Sequence, residues 1–336
     1  GTLDQLAQFI NYGGTVCLGP WTHFGGCVCQ SDLPNGSLDQ TSAYRMWYDS
    51  SLKGIDNGFE EMPPVTYYMI HADRGSEWRF SESWPPENEV RTRLYFSNLS
   101  SGTCCSVNDG SLTVEKPESE TAVSYQVRDD ICVFKGADGK SRYSRSELYW
   151  EGDMTEDVDN KGLTFTTAPL FPCYNNELAG CISADLWISC TARDVDLILY
   201  AEEVMPDGTS RYIKDGVIRA SHRTQGSNPA WEKMGAVWHT SMTADVVRCL
   251  GEGLNSPTRI RFAIDPIAYH FQSGSRLRIT LTCANNAAFQ HDIYKNGFPV
   301  LTLYTGGRYA SSVSVPFLED QFNTYKGTVE GSDGPA

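Results

Sequence analysis

The sequence predicts a mainly β protein in which a jelly-roll β-sandwich follows a short segment of helix and strand. From about residue 65 onward, short segments of β-branched and aromatic residues alternate with polar residues, between Asp-Gly, Asn-Gly and Gly-Gly turns. Before residue 65 the apolar residues recur mainly at helical spacing. Many strands and few helices over one long stretch are typical of a β-sandwich, and a jelly roll is the arrangement that we expect.

The N-terminal segment is predicted to form a helix, a strand and a second helix. Residues 2–11 carry the apolar spacing of a helix, and residues 15–18 (TVCL) form a short strand. Residues 40–53 form the second helix, which Gly54 ends and whose apolar face is predicted from Met46, Trp47 and Leu52. One helix and one strand cannot cover both faces of a sheet, so we expect the remainder of this sheet elsewhere.

The later strands are predicted from their alternating residues and turn signals. They lie at 65–72, 91–97, 163–170, 178–192, 194–204, 210–221, 259–267, 276–285, 299–305 and 311–317. In the predicted strand 276–285, Arg276 and Arg278 lie on one strand face, and we expect both side chains at the surface of the sandwich. The acidic residues 153–159 are expected in a solvated loop.

Composition limits the partners and the compartment. The formal net charge of −15 disfavours nucleic acid and anionic lipid, and no apolar run approaches the ~20 residues of a membrane span. Eleven cysteines and the sequons at Asn35 and Asn98 favour an extracellular or secretory compartment over the cytoplasm, although reduced core cysteines also fit. The first residue, Gly1, indicates a processed, truncated or tagged chain. No His or Cys spacing predicts a metal site, and we expect no cofactor.

The segment GPWTHFGG, residues 19–26, contains the candidate catalytic residue. His23 follows a strand that stops at Gly-Pro, and glycines follow it, so it lies on a flexible loop where an imidazole can carry protons. From the local sequence alone, a surface or capping histidine is the more common outcome.

Longer stretches carry a family resemblance. The segments GPWTH, WYDSSLKGIDNG and PPVTYYMIHADRGSEWRFSESWPP resemble the cocaine-esterase-like (CocE/NonD) serine hydrolases. The segments LAGCISADLWISCTARDVDLILYAEEVMPDG and AYHFQSGSRLRITL resemble the C-terminal domain of X-Pro dipeptidyl-peptidases, which that family shares. The resemblance implies that residues 1–64 are the end of an α/β-hydrolase domain with its linker helix. It also implies that residues 65–320 are the jelly roll and that 321–336 are a flexible tail.

The resemblance also implies a chemistry. Members of the family cleave esters or amides with a Ser-His-Asp triad, and the GPW-x-H motif places the triad histidine at His23. Trp21 would line the acyl pocket; packing of the loop is the other role that its position allows.

The chain lacks the rest of a triad. In α/β-hydrolases the serine and the acid precede the histidine, yet only 22 residues precede His23 and they contain no G-x-S-x-G. Asp4 is the one acid among them and is expected to be a first-turn helix carboxylate. We therefore expect the Ser-bearing N-terminal half as a separate or cleaved chain, with a small ester or amide as substrate; a homo-oligomer is left open. The alternatives are a non-catalytic jelly-roll binding module and a degenerate hydrolase recruited for another acid-base reaction.

Overall fold

A computed structural model describes most of the 336 residues of the chain. The described residues are 2–21, 28–29, 33–103, 106–131, 156–170, 176–240, 243–284, 294 and 297–318. His23 lies outside them, as do residues 319–336, so the predicted tail is not described.

Within the described residues the chain forms five α-helices and eighteen strands. The helices are α1 (Thr2–Tyr12), α2 (Gln40–Lys53), α3 (Glu156–Lys161), α4 (Pro229–Lys233) and α5 (Thr243–Gly251). The strands are β1 (Val16–Leu18), β2 (Val28–Cys29), β3 (Leu38–Asp39), β4 (Val65–Tyr68), β5 (Trp78–Ser81), β6 (Val90–Ser97), β7 (Gly110–Thr113), β8 (Ala122–Gln126), β9 (Leu163–Thr166), β10 (Glu177–Gly180), β11 (Ser183–Cys190), β12 (Asp196–Val204), β13 (Ser210–Arg219), β14 (Leu254–Ala263), β15 (Ile267–His270), β16 (Arg276–Thr282), β17 (Val300–Tyr304) and β18 (Ser312–Phe317). The prediction of a mainly β chain is confirmed.

Most strands join one large sheet. Its main path runs β13-β12-β16-β9-β7-β6-β18-β11-β17-β8, while β14 pairs with β11, and β10 pairs with β15 and β18. Strands β6, β9, β11, β12, β14, β16, β17 and β18 all contribute buried side chains to one large apolar cluster. Within it, Phe96 and Phe165 meet edge to face with ring centroids 4.6 Å apart, a geometry that adds to simple burial. On the opposite face of β12, Ile198 and Tyr200 belong to a separate, smaller cluster. The jelly-roll order of these strands stays a prediction.

A second, three-stranded sheet joins the N-terminal segment to the large β region. Strand β1 pairs in parallel with β4, and β4 pairs antiparallel with β5. The buried residues Leu6 and Ala7 of α1 share an apolar cluster with β4, β10 and α4. Strand β4 therefore pairs with a strand that lies on the other side of the predicted boundary at residue 65, and that boundary stays a prediction.

Several local predictions are confirmed and others need correction. Helices α1 and α2 lie where the periodicity predicts them. The predicted strand 178–192 is instead two strands, β10 and β11, separated at Cys181 and Ile182. Cys181 belongs to the smaller apolar cluster and Cys190 to the larger one, and both are free thiols.

The expectation that Arg278 decorates the surface is wrong. The side chain is fully buried, and its Nη1 donates to Asp159 Oδ2 over 2.8 Å. Asp159 also departs from prediction, since it is a buried residue of α3 rather than part of a solvated loop. Burial, then the neighbouring Asp159 carboxylate, raises the pKa of the buried Glu202 well above its ordinary value. The two carboxyls and one guanidinium thus form a buried polar group inside the β region.

None of the described helices is long and apolar enough to cross a membrane.

Candidate active-site loop and its supports

Strand β1 leads directly into the predicted catalytic segment. It ends at Leu18 and is followed by Gly19, Pro20 and Trp21, after which residues 22–27 lie outside the described part. The chain is described again in β2, which pairs antiparallel with β3. The structure thus places the residues on either side of the undescribed segment 22–27, and the role of His23 stays a prediction.

Trp21 folds back over the turn that precedes His23. A Cβ on Gly19 would lie 2.3 Å from Trp21 Cε2, so the ring occupies the space that any side chain at position 19 would need. Glycine is therefore required there for the close approach of the indole. Trp21 Nε1 donates to Gly36 O over 2.6 Å, and its ring lies 6.1 Å from that of Trp78. These contacts fit the role of Trp21 in packing, which is the second of the two roles that its position allows. The role of Trp21 in lining the acyl pocket stays a prediction.

Three aromatic side chains, Trp21, Tyr68 and Trp78, donate to three successive backbone carbonyls, and we call them the aromatic clamp. Trp21 binds the carbonyl of residue 36, Trp78 Nε1 binds that of residue 35 over 2.9 Å, and Tyr68 Oη binds that of residue 34 over 2.6 Å. Tyr68 and Trp78 also meet edge to face at 5.3 Å. Each such bond contributes on the order of 1 kcal/mol.

Tyr68 is held in the protonated form that the clamp needs. Burial, followed by the nearby Glu77 charge, raises the pKa of Tyr68 to about 12. The phenol therefore remains a hydrogen-bond donor throughout the neutral range.

The segment gripped by the clamp is a tight turn, residues 33–36. Gly36 N donates to Leu33 O over 3.0 Å, and Asn35 has φ of 54°. Proline at the second position and a positive φ at the third are typical of a type II turn, in which asparagine is one of the few residues tolerated. The sequence Leu-Pro-Asn-Gly therefore specifies the bend by itself.

Glu77 fastens the turn from the β4–β5 side. Asn35 Nδ2 donates to Glu77 Oε1 over 3.1 Å, and Gly75 N donates to Glu77 Oε2 over 2.8 Å. The bond from its own backbone amide, then those from Asn35 and Gly75, lowers the pKa of Glu77. The side chain is almost wholly covered, so its charge is satisfied by these donors rather than by bulk water.

A histidine–carboxylate group that the sequence did not reveal lies where β10 pairs with β15. His270 Nδ1 lies 3.2 Å from Glu177 Oε1, which also accepts a 2.8 Å bond from Arg79 Nη2. Burial raises the pKa of Glu177, but the bonds from His270 and Arg79 outweigh it and lower the pKa overall. The three residues tie β5 to the large sheet. They come from chain positions far apart, so no local pattern could have predicted the group.

Trp21 lines neither of two open depressions on the described surface. One, of about 350 Å³, is lined by Pro63, Tyr67, Phe80, Ser81, Glu82, Pro86, Glu87 and Asn88. The other, of about 520 Å³, is lined by Lys116, Glu118, Glu120, Gly307 and Arg308. Among the described residues, no group of three or more His, Cys, Asp or Glu side chains could hold a metal ion.

Helix α2 presents an exposed apolar face. Tyr44, Trp47, Tyr48 and Leu52 are 56%, 42%, 49% and 72% exposed, and Ser50 is the one buried residue of the helix. They lie on one side because residues three and four apart share a helix face. We call them the α2 apolar face. Of the three residues predicted to form an apolar face, Trp47 and Leu52 lie on this one, whereas Met46 is half-buried on another side of the helix. The described residues leave the α2 apolar face largely uncovered.

Helix α2 is nevertheless well formed. Asp39 caps its start by accepting from Ser42 N over 3.2 Å, and Gly54, at φ of 64°, ends it. On the side away from the apolar face, Asp49 pairs with Arg45 and Lys53 at 3.5 and 2.5 Å. The exposure of the apolar face is therefore not a sign of an unfolded segment.

The fold and the loop together define a large β domain preceded by a short α/β segment that ends in a GPW-x-H sequence. The chain belongs to the family of X-Pro dipeptidyl-peptidase C-terminal non-catalytic domains, which matches residues 57–314. The resemblance to cocaine-esterase-like hydrolases is confirmed.

Named relatives extend beyond the family match. A putative serine esterase of Mycobacterium bovis is 28% identical over 313 residues, which cover 91% of this chain and 46% of the relative. Cocaine esterase of a Rhodococcus species is 23% identical over 256 residues, covering 71% of this chain and 42% of that enzyme. The crystal structure of a CocE/NonD family hydrolase from Staphylococcus aureus aligns with a TM-score of 0.56 at 17% identity, over 84% of this chain and 46% of the other. The chain therefore spans about half the length of the curated relatives it matches.

Proposed function

We propose that this chain is the C-terminal part of a serine hydrolase that cleaves esters or amides, the X-Pro dipeptidyl-peptidase reaction included, and that His23 is its general base. The observation that carries the proposal is the match to a putative serine esterase over 91% of this chain. Strand β1 supports it, because it delivers the GPW-x-H segment to a loop at the end of a parallel strand, the usual place for functional residues in α/β sheets.

In this reaction His23 removes the proton from a serine hydroxyl as the oxygen attacks the substrate carbonyl. It then returns the proton to the leaving alcohol or amine, and water repeats the cycle on the acyl-serine. The serine, the carboxylate that orients the imidazole and the oxyanion donors come from the other half of the hydrolase, upstream or on a separate chain.

The α2 apolar face supports the proposal that this chain binds the other half of the hydrolase. Four large exposed apolar side chains on one capped helix form the kind of patch that marks a protein contact. In the described residues β1 is an edge strand that pairs only with β4, and an edge strand can accept a further strand. We therefore propose the Ser-bearing half as the partner. The acidic net charge favours neither nucleic acid nor membrane as partner, and an extracellular or secretory site remains part of the proposal.

The test is activity-based labelling of the native assembly. A fluorophosphonate probe should label the Ser-bearing half and leave this chain unlabelled. His23→Gln should abolish labelling, whereas the matched variant of the exposed His222, His222→Gln, should leave it intact. Normal labelling in His23→Gln would contradict the proposed role of His23.

A binding module is the second candidate function, favoured by one group of half-exposed aromatic residues. Trp187 and Tyr304 lie 5.1 and 5.7 Å from the ring of Tyr309, and the guanidinium of Arg308 lies 4.6 Å above that ring. Such a group offers stacking surfaces to a ligand. No labelling of any chain, together with unchanged function in His23→Gln, would favour this second candidate over a hydrolase.

A further inference from the structure

We propose that the β4–β5 hairpin, which lies inside the match to the non-catalytic domain family, positions the His23 loop through the aromatic clamp. The inference rests on the proposed function for its catalytic consequence, but its structural part stands on the described contacts. Tyr68 ends β4, Trp78 begins β5, and Glu77 immediately precedes it. The domain classed as non-catalytic would thus supply positioning residues to the active site.

The clamp holds the chain on both sides of the predicted base. Trp21 stands two residues before His23, and its indole is fixed by the carbonyl of Gly36 and the ring of Trp78. The turn at residues 33–36, on the far side of the loop, is fixed by Trp78, Tyr68 and Trp21. The two ends of the loop are therefore bound to each other as well as to the hairpin.

The hairpin contacts use backbone carbonyls, so they constrain the position of the main chain directly. Three consecutive carbonyls each accept a bond from a ring that is itself in contact with another clamp ring. A rotation of the turn would break several of these bonds together. Glu77 adds a fourth tie through the side chain of Asn35.

Such support matters because general-base catalysis requires the imidazole within hydrogen-bond reach of the serine. Catalytic groups must be held to within roughly 0.5 Å by residues whose own side chains are fixed by packing and hydrogen bonds. The clamp residues do not need to touch substrate for this role. They should therefore affect the rate of the chemical step more than the binding of substrate.

The test uses two conservative variants. Trp78→Phe keeps an aromatic ring beside Trp21 and Tyr68 but removes the donor to the carbonyl of residue 35, and Tyr68→Phe removes the donor to that of residue 34. Trp238→Phe is the matched control, because Trp238 packs edge to face on Trp231 at 5.1 Å, away from the clamp. Thermal unfolding confirms that each variant is folded.

The first readout is independent of activity. The full chain carries six histidines, so ¹³C-labelled imidazoles give few signals, and His23→Gln identifies that of His23. We expect the His23 signal to shift or broaden in Trp78→Phe and in Tyr68→Phe but not in Trp238→Phe. A His23 signal that superimposes on the wild type in both clamp variants overturns the inference.

The second readout is the reaction of the native assembly with an ester substrate. We expect kcat to fall roughly 3- to 10-fold in each clamp variant, as loss of one hydrogen bond implies, with KM little changed. A fall confined to KM, with kcat unchanged, contradicts a positioning role. If the His23 signal responds as expected but the wild-type assembly shows no hydrolysis that depends on His23, the clamp orders the loop and the proposed function is what fails.

Discussion

Replacing Arg278 with methionine tests the buried polar group most directly. The guanidinium donates three bonds, at 2.8 Å to Asp159, 3.0 Å to Thr166 Oγ1 and 3.1 Å to Thr103 Oγ1. Arg278→Met keeps most of the apolar stem and removes every donor. Asp159 then stays buried, with a long 3.4 Å bond from Thr280 Oγ1 and the Glu202 carboxyl beside it.

The expected cost is large because a buried charge loses its counter-charge. Breaking such a pair by removing one partner costs about 3–5 kcal/mol, far more than an exposed pair contributes. For a β region of this size, that free energy corresponds to a fall in Tm of roughly 5–10 °C. The double variant Arg278→Met with Asp159→Leu removes the stranded carboxylate, so we expect it to recover about 1–3 kcal/mol relative to the sum of the single changes.

The assay is urea unfolding followed by tryptophan fluorescence, with calorimetry for Tm. Arg276→Met is the matched control, since Arg276 lies on the same face of β16 but is only half-buried and bonds one backbone carbonyl, that of Thr167, at 3.1 Å. We expect this control to cost about 1 kcal/mol or less. If the two arginine variants unfold within 1 kcal/mol (roughly the error of such comparisons) of each other, the reasoning from burial is refuted.

Three further predictions concern the rest of the chain. Because donors lower the pKa of Glu77 below the ordinary 4.5, its charge stabilises the fold at neutral pH and stops doing so as the pH falls through the lowered pKa. The Tm deficit of Glu77→Gln should therefore shrink in acid, and a deficit independent of pH would contradict this. Gly216→Ala would place a Cβ 2.5 Å from Ala263 O and should cost about 1–3 kcal/mol, whereas Gly251→Ala, with no atom within 4 Å, should be neutral in the same urea titration. Iodoacetamide should modify the exposed Cys17 of the native chain before the buried thiols Cys181, Cys190, Cys249 and Cys283. The reason is that burial raises the pKa of each buried thiol, which leaves less of the reactive thiolate. Peptide mass spectrometry would show the order of modification.

The alternation of residues predicted most of the long strands, because alternation reports which face of a sheet is covered. Strand β12 is an exception to that rule, because it is buried on both faces. It could still be predicted as a strand from its β-branched and aromatic residues. Short elements carry too few residues for a period, so β5, β7 and α4 were not predicted. Helix α5 was not predicted either; it lies between the predicted strands 210–221 and 259–267, in a stretch that was given no assignment. The alternation rule misplaced Arg278, because α3 covers the outer face of β16 there.

The site was predictable only where its signal is local. The GPW-x-H segment is contiguous, so it could be found from the sequence and compared with a family. The aromatic clamp joins residues 15, 34 and 43 positions apart, and nothing local in Tyr68 or Trp78 distinguishes a clamp donor from a residue of the core. Glu77 is similarly ordinary in sequence, and its role depends on the bend at Asn35.

Because α2 is capped at both ends and carries its own ion pairs, its backbone is already in place before any contact forms. Binding of α2 to a complementary protein surface would then order only side chains, so little backbone conformational entropy would be lost on binding. Its calorimetric signature would be a negative heat-capacity change with no accompanying gain in helical circular dichroism. A helix that folded only on binding would show a negative heat-capacity change together with a gain in helical circular dichroism.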